Sequence, residues 1–339
     1  MTWLSALLRT VPVRLLALVL AGAGLAAAAA RLAGLEGALR YRDLPAVTMP
    51  MPPPGETAEA SAAEEDGTPA PRLPEGEPAP GAPPVEPLAA MLEPGPFGAL
   101  PRPGPDGATP FEVYRRPSPE PVPSPAVAIV VADLGLGRRV STLVLETPPP
   151  VGLLFSPYAE GAGAWLRLAR WHGHETLLGL PLQAADPARE DRGPLALAPD
   201  MEAQAVDGRM VRLLGKAGGV FALAGEAGAF AADPERFRRV ADELARRGLG
   251  FLELGGDSLR GVARAAGVRY ASAAVEIDRI EAPEALDRAF GALEAAALEG
   301  GRAIGYLRPL PLSLQRLAQW LPGLPQKGLA LVPPGALFE

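Results

Sequence analysis

From Ala126 onward, short apolar runs recur along the chain at regular intervals. Ala126–Gly135, Pro150–Tyr158 and His174–Leu182 are the first three. Gly218–Leu223, Gly250–Gly255, Tyr270–Ile277, Arg302–Leu307 and Gly328–Pro333 follow. They are near-continuous rather than alternating, which predicts strands of a parallel sheet covered on both faces. Stretches with helical spacing lie between them. Gly161–Trp171 is one, and Glu235–Arg247 is a second, with Asp233 as N-cap, Pro234 at the first position and Gly248 as the stop. Ala282–Leu298 and Ser313–Trp320 are the others. Strands alternating with helices predict an α/β domain, either a barrel or a strongly curved, mostly parallel sheet, over residues 126–339.

The first 125 residues read differently. Arg9 and Arg14 precede an apolar run from Leu15 to Ala30, which Arg31 closes. A basic flank before an apolar core is the pattern of a signal or a signal anchor. It predicts an apolar helix, with membrane attachment through residues 11–30, inside a 1–40 segment that begins with a cytoplasmic flank. The Ala26–Ala30 stretch alternatively offers a cleavage site. Residues 41–125 are rich in Pro, Ala, Gly and Glu, as in Pro74–Pro84, and keep no apolar period. Proline removes donors, and little apolar area offsets the ordering entropy, so a disordered spacer is predicted here. Phe111–Tyr114 is a small apolar island suited to docking on the domain edge.

Composition narrows the chemistry. A formal net charge of -7, with no basic stripe interleaved with aromatics, argues against a nucleic-acid partner. The absence of cysteine removes disulfides, thiolate metal sites and cysteine nucleophiles together. Ser156 lies in no nucleophile elbow and has no histidine placed to activate it. His172 and His174 are the two histidines; they read as a helix–strand turn, with a surface metal pair as the other reading. In parallel α/β folds the working residues sit at strand C-terminal ends. Asp133, Ser156–Tyr158, Gly179–Gln183, Ala224–Glu226, Glu253, Asp278 and Tyr306–Arg308 occupy those places.

The order and spacing of several segments resemble the divergent polysaccharide deacetylase family, a branch of the NodB-like (β/α) barrel deacetylases. They are VAIVVADLG, Pro148–Ala159, Gly173–Gln183, Gly218–Glu235, Arg246–Glu253, Val275–Asp278 and Gly305–Pro309. The resemblance implies a deacetylase-like barrel, carbohydrate metabolism, and a divalent metal such as zinc held by Asp and His. This chain departs from that pattern where the metal would bind. Ala132 stands for the first of two acids, Gly179 for a histidine, Ala224–Gly225 for an Asn-His pair, and Tyr306 for another histidine. Asp133, Asp278 and Arg308 survive. No cofactor and no metal site are therefore expected.

Asp133 and Glu226 remain as residual catalytic candidates. Asp133, Glu253, Asp278, Tyr306 and Arg308 are the ligand-binding candidates. Asp133 equally reads as a cap on the Leu134–Gly137 turn, and Arg308 as a partner for Asp278. The expected function is a membrane-tethered, metal-degenerate deacetylase-like protein of the bacterial inner membrane. Its domain would face the periplasm and bind an envelope glycan or envelope protein, with a secreted or periplasmic form if the signal is cleaved. One alternative is an active carbohydrate deacetylase or other hydrolase with a rearranged carboxylate site. Another is a structural scaffold, with Leu182, Leu254 and Leu307 packed over the barrel mouth.

Overall fold

The computed structural model describes residues 71–339. Two short strands, β1 (Leu92–Glu93) and β2 (Leu100–Pro101), pair antiparallel on their own, and helix α1 (Pro110–Tyr114) follows. Thr109 and Glu112 form a reciprocal capping box at its start. The main sheet then begins with β3 (Ala126–Leu134), β4 (Gly152–Phe155), β5 (Thr176–Gly179) and β6 (Ala222–Glu226). It continues with β7 (Gly250–Leu254), β8 (Tyr270–Ala273), β9 (Val275–Glu276), β10 (Arg302–Leu307) and β11 (Ala330–Leu331).

The strand order is β8-β7-β6-β5-β4-β3-β10-β9, with β11 also on β3, and every pairing in it is parallel. The two ends of that order, β8 and β9, are separated in sequence only by Ala274. One continuous segment thus forms both edges, and the sheet is a nearly closed, mostly parallel barrel. The run expected as one strand over Tyr270–Ile277 is these two short strands, because the chain crosses from one edge to the other there.

Alternation along the strands sorts the core into two sets. Ala126, Ala128, Val130 and Ala132 belong with Ala222, Ala224, Leu252 and Ile304 in one cluster. Val127, Ile129 and Val131 belong with Leu153, Phe251 and Leu307 in the other, which includes the helix residues Leu166, Leu213, Leu244 and Leu293. The first set fills the barrel and the second packs under the helices. Because the inner set is rich in alanine, its strands supply little bulk. Bulk comes from the N-terminal ends of the strands, where the rings of Phe111, Phe221 and Phe338 meet at 5.3–5.7 Å between centroids.

Phe111 and Tyr114 lie in the stretch predicted as a structureless spacer, and both are buried. The spacer expectation is corrected for residues 71–125: this segment packs on the barrel. Arg170, fully buried, donates to the carbonyls of Pro84 (2.8 Å) and Val85 (2.7 Å) in the segment and of Gly219 (2.8 Å) in the barrel. Arg116 donates to Pro80 O and Gly173 O, both at 2.8 Å. Prolines there leave carbonyls unclaimed by helix or ladder, and two arginines collect them. The missing apolar period was a poor guide, because a few aromatic anchors at about 1.5–3 kcal/mol each suffice to dock such a segment.

The membrane expectation is also corrected. Among the described residues no helix is long and apolar enough to cross a membrane. The longest, Pro283–Gly300, carries Glu284, Asp287, Arg288, Glu294 and Glu299. The N-terminal apolar helix expected over residues 11–30 lies outside the described residues. The tether, the inner-membrane localisation, the periplasmic orientation and the signal are not carried further. The membrane as partner goes with them, and the envelope setting of the expected glycan or protein partner is not carried further. Asp233 is likewise not the expected cap: it starts a single 3-10 turn, makes no capping bond and pairs with Arg236 at 3.2 Å.

Candidate functional site

A cleft of about 670 Å³ opens at the C-terminal ends of the strands. Four of the sequence candidates line it: Asp133 near the end of β3, Glu226 at the end of β6, Tyr306 near the end of β10 and Arg308 just past it. Register explains the grouping. Tyr306 pairs with Val130 and Glu276, and Gly225 with Glu253, so neighbouring strand ends reach the same level.

Asp133 has φ 56° and is the only non-glycine residue in the left-handed region among the described residues. That conformation is sparsely populated for a side-chain-bearing residue and tends to persist at working sites. It turns the carboxyl into the cleft. The expected cap is not formed: Gly135 N donates to Ser141 Oγ at 2.8 Å instead. The surrounding protein desolvates the Asp133 carboxyl and pushes its pKa up; Arg192 and Arg308 pull it partly back. Tyr306 is 6% exposed, yet no residue among those described hydrogen-bonds its hydroxyl. Burial, then Glu276 and Glu226, raise its pKa well above the ordinary phenol value, so it stays a donor.

Two candidates belong elsewhere. Glu253 is fully buried and accepts from Ser258 N (2.9 Å), Ser258 Oγ (2.8 Å), Leu259 N (2.8 Å) and Tyr270 Oη (2.7 Å). Its carboxylate ties the β7 end to the following turn and does not line the cleft. Asp278 is buried and takes Arg308 N at 2.9 Å and Ser313 Oγ at 3.3 Å on Oδ2, while Arg308 Nη2 donates to its carbonyl at 2.8 Å. The pairing reading of Arg308 is therefore the one observed, with part of the guanidinium still facing the cleft.

One whole wall of the cleft lies outside the residues that the strand-end rule selects. Glu190, Asp191, Arg192 and Gly193 line the cleft from the connection between β5 and the helix Ala203–Leu214. Tyr158 Oη holds that connection by donating to Arg192 O at 2.7 Å and accepting from Leu195 N at 3.1 Å. Arg192 pairs with Glu190 at 2.8 Å and Glu226 at 2.7 Å. Glu276 was also missed, because β9 is only two residues long. The signal was present but aperiodic: charges crowd Asp186–Arg192, in a loop with no apolar rhythm.

The residues present do not fit the metal that the family resemblance implies. Ala132, Gly179 and Gly225 offer no donor. A Cβ at Gly225 would meet Leu180 O at 2.3 Å, and one at Gly179 would meet Pro157 Cδ at 2.9 Å. Backbone closes over Gly225 and the Pro157 ring over Gly179, so neither position has room for a histidine without a shift. Among the described residues no group of three or more His, Cys, Asp or Glu is placed to hold a metal ion. His174 is fully buried, its ring facing Val151 O at 2.8 Å and Leu145 O at 3.2 Å, and burial lowers its pKa. The surface metal pair with His172 is thereby excluded.

Comparison with known proteins places this geometry. An uncharacterized protein of Agrobacterium tumefaciens C58 has a similar structure, with TM-score 0.67 and 29% identity, over 71% of this chain and 99% of that one. A putative cellobiose-phosphate cleavage protein of Enterococcus faecalis V583 is similar at TM-score 0.46 and 10% identity, over 63% of this chain and 99% of that one. No curated protein matches the chain. Residues 129–338 match the divergent polysaccharide deacetylase family. That span runs from the middle of β3 to the end of the fold, and the chain belongs to the divergent polysaccharide deacetylase family.

Proposed function

We propose that the barrel is a deacetylase-type carbohydrate hydrolase working from a rearranged carboxylate site. The observation that carries this is the open cleft with Asp133 turned into it and a hydroxyl, Tyr306, left free to donate beside it. A scaffold would have its mouth filled. Leu182 and Leu307 instead sit in the core beneath the helices, and of the three expected plug residues only Leu254 lines the cleft.

In this reading Asp133 is the general base. A carboxyl with a raised pKa, exposed to substrate, is suited to take a proton from water near neutral pH. The water oxygen bonds to the acyl carbon of an acylated sugar. Tyr306 donates to the oxygen on which negative charge develops. As the carbon–nitrogen or carbon–oxygen bond breaks, the proton returns from Asp133 to the leaving group, and acetate and the free sugar depart. No step requires a group that the chain does not carry. Acetate release from acetylated oligosaccharides by the full chain, with chelator present, tests the proposal. Release should persist with chelator, rise with pH through the raised carboxyl pKa, and vanish in Asp133→Asn. Absence of release, or full activity in Asp133→Asn, overturns it.

A further inference from the structure

Residues 183–196 leave the barrel between β5 and the helix Ala203–Leu214 and carry the charged wall of the cleft. Backbone bonds close this excursion at its base, where Gln183 N donates to Leu197 O at 2.7 Å and Leu197 N to Pro181 O at 2.8 Å. Further out it contains no helix or strand, and Ala185–Asp191 are all exposed. The bonds made there are short-range: Asp186 Oδ1 accepts from Ala188 N, and Asp191 Oδ1 from Gly193 N. A segment with so few buried contacts owes its position to the groups that reach it from the barrel. Among the described residues three side chains do so by hydrogen bond or ion pair. Arg209 donates to Ala196 O near the base, Glu226 pairs with Arg192 at 2.7 Å, and Tyr158 Oη serves Arg192 O and Leu195 N together.

The Tyr158 contact is a fitted one. Tyr158 lies just past β4, in a turn where its own N–H donates to Ser156 Oγ at 3.2 Å and Lys216 donates to Pro157 O. The phenol is used as donor and acceptor at once. Its ring lies so close to Gly193 that a Cβ there would meet it at 2.8 Å. Gly193 also has φ 81°, so glycine both permits the turn and clears the ring. The Tyr158 side chain is far from fully buried, at 38% exposed, so the hydroxyl rather than space-filling is what this position supplies.

What is held in this way is Arg192. Asp133 is faced by Arg192 from the excursion, Arg308 past β10, Glu226 at the end of β6 and Asp278 past β9, while Glu190, Asp191 and Glu276 complete the charged lining. Arg308 is fixed from within the barrel, by Asp278 at both its backbone N–H and its guanidinium. Arg192 acts on Asp133 more strongly than Arg308 does, and its place depends on Tyr158 and Glu226. We infer that Tyr158 is a positioning residue of the cleft: its hydroxyl pins residues 183–196 and thereby keeps the Arg192 guanidinium in the cleft with the Asp133 carboxyl. This rests on the general-base reading above and adds a residue to it. Held there, Arg192 favours the ionised, proton-accepting form of Asp133. Glu226 works the opposite way, since it draws on the same guanidinium and brings a like charge toward Asp133.

Arginine labelling with phenylglyoxal, mapped by mass spectrometry, and the pH profile of acetate release from acetylated oligosaccharides test this in the full chain. Tyr158→Phe should speed labelling of Arg192 by at least about fivefold, as for the loss of one net hydrogen bond, and leave Arg308 unchanged. Gly193→Ala, which presses on the same ring, should do likewise. In the release profile, Arg192→Met should move the rise with pH upward by about one unit. Tyr158→Phe should move it the same way by less, and Glu226→Gln should move it downward. The double variant Tyr158→Phe/Arg192→Met should match Arg192→Met alone, because the phenol acts through the guanidinium. Unchanged Arg192 labelling in both Tyr158→Phe and Gly193→Ala overturns the inference, whether or not acetate is released. So does a release profile indifferent to Tyr158→Phe, or a double variant displaced beyond Arg192→Met. Faster labelling in a chain that releases no acetate would sink the hydrolase reading and keep the pinning.

Discussion

Arg170 and Glu175, at the N-terminal ends of the strands, are buried charges met by the surrounding chain. Asp133, Glu276 and Tyr306, at the C-terminal ends, face open space. Below, the Arg170 guanidinium reaches three backbone carbonyls and Thr176 Oγ1, and the Glu175 carboxylate takes Gly335 N at 2.7 Å and Arg116 N at 2.8 Å. Above, no residue among those described hydrogen-bonds the three groups. The same kinds of side chain thus serve opposite ends. At one rim polar groups close the fold, drawing residues 71–125 and the C-terminal segment onto the barrel. At the other they face the cleft, where solvent reaches them and no protein group claims them.

The largest break in that contrast should come from Arg170. Burial pulls its pKa down to about 10, so it stays charged at neutral pH. Arg170→Met strands the carbonyls of Pro84, Val85 and Gly219. With charged hydrogen bonds worth roughly 1.5–3 kcal/mol each, chemical denaturation should show a loss of about 3 kcal/mol or more. Limited proteolysis should then cut near residues 80–88, where the unaltered chain resists.

Glu175 sharpens the same rim through pH. Complete burial pushes its carboxyl up to about 7 from an ordinary 4.5, and the two backbone donors only partly offset this. The folded protein therefore holds a proton that the unfolded chain releases. Stability is fully present below the unfolded value and falls as pH rises from about 4.5 to about 7, by up to about 3 kcal/mol. Glu175→Gln should flatten that dependence. A mid-pH stability curve that keeps its slope in the variant would remove Glu175 from the account.

A third test addresses the closed metal positions. Gly225→Ala drives a methyl against Leu180 O, just past the end of β5, where Leu180 N donates to Ala224 O at 2.7 Å and holds the segment in place. A loss of about 2 kcal/mol is expected, in the range of other overpacked core substitutions. Gly225→His should cost at least as much and bind no zinc in titration. Stoichiometric zinc binding by that variant would show that only the side chain had been lost, and not the space for it.

These effects bear on what the chain made legible. The parallel sheet was readable because strands buried on both faces must be apolar throughout, as in Ala126–Gly135. The strand-end rule then picked out Asp133, Glu226, Tyr306 and Arg308. It also picked Glu253 and Asp278, because position along a strand does not reveal which way a carboxylate turns or whether nearby N–H groups consume it. Arg192 and Glu276 escaped the rule for the complementary reason: one sits in a loop without period, the other in a two-residue strand. The docked segment was hidden by its prolines, since its order comes from Arg170, Arg116 and two aromatic anchors far away in sequence.

Asp133→Asn should have the smallest effect on stability, and its sign is what matters. Asparagine tolerates φ 56° about as well as aspartate, so the backbone is not penalised. The substitution removes a desolvated carboxylate that no described residue hydrogen-bonds. Because the group is exposed to the cleft, solvent screens most of that cost, and a gain of about 0.5 kcal/mol is expected. Activity should be lost in the same variant, since the amide cannot take a proton from water. Stabilisation with loss of acetate release is the signature of a residue kept for chemistry against the interest of the fold. A destabilised variant would mean that Asp133 belongs with Arg170 and Glu175 as a structural group, and the contrast between the two rims would no longer hold.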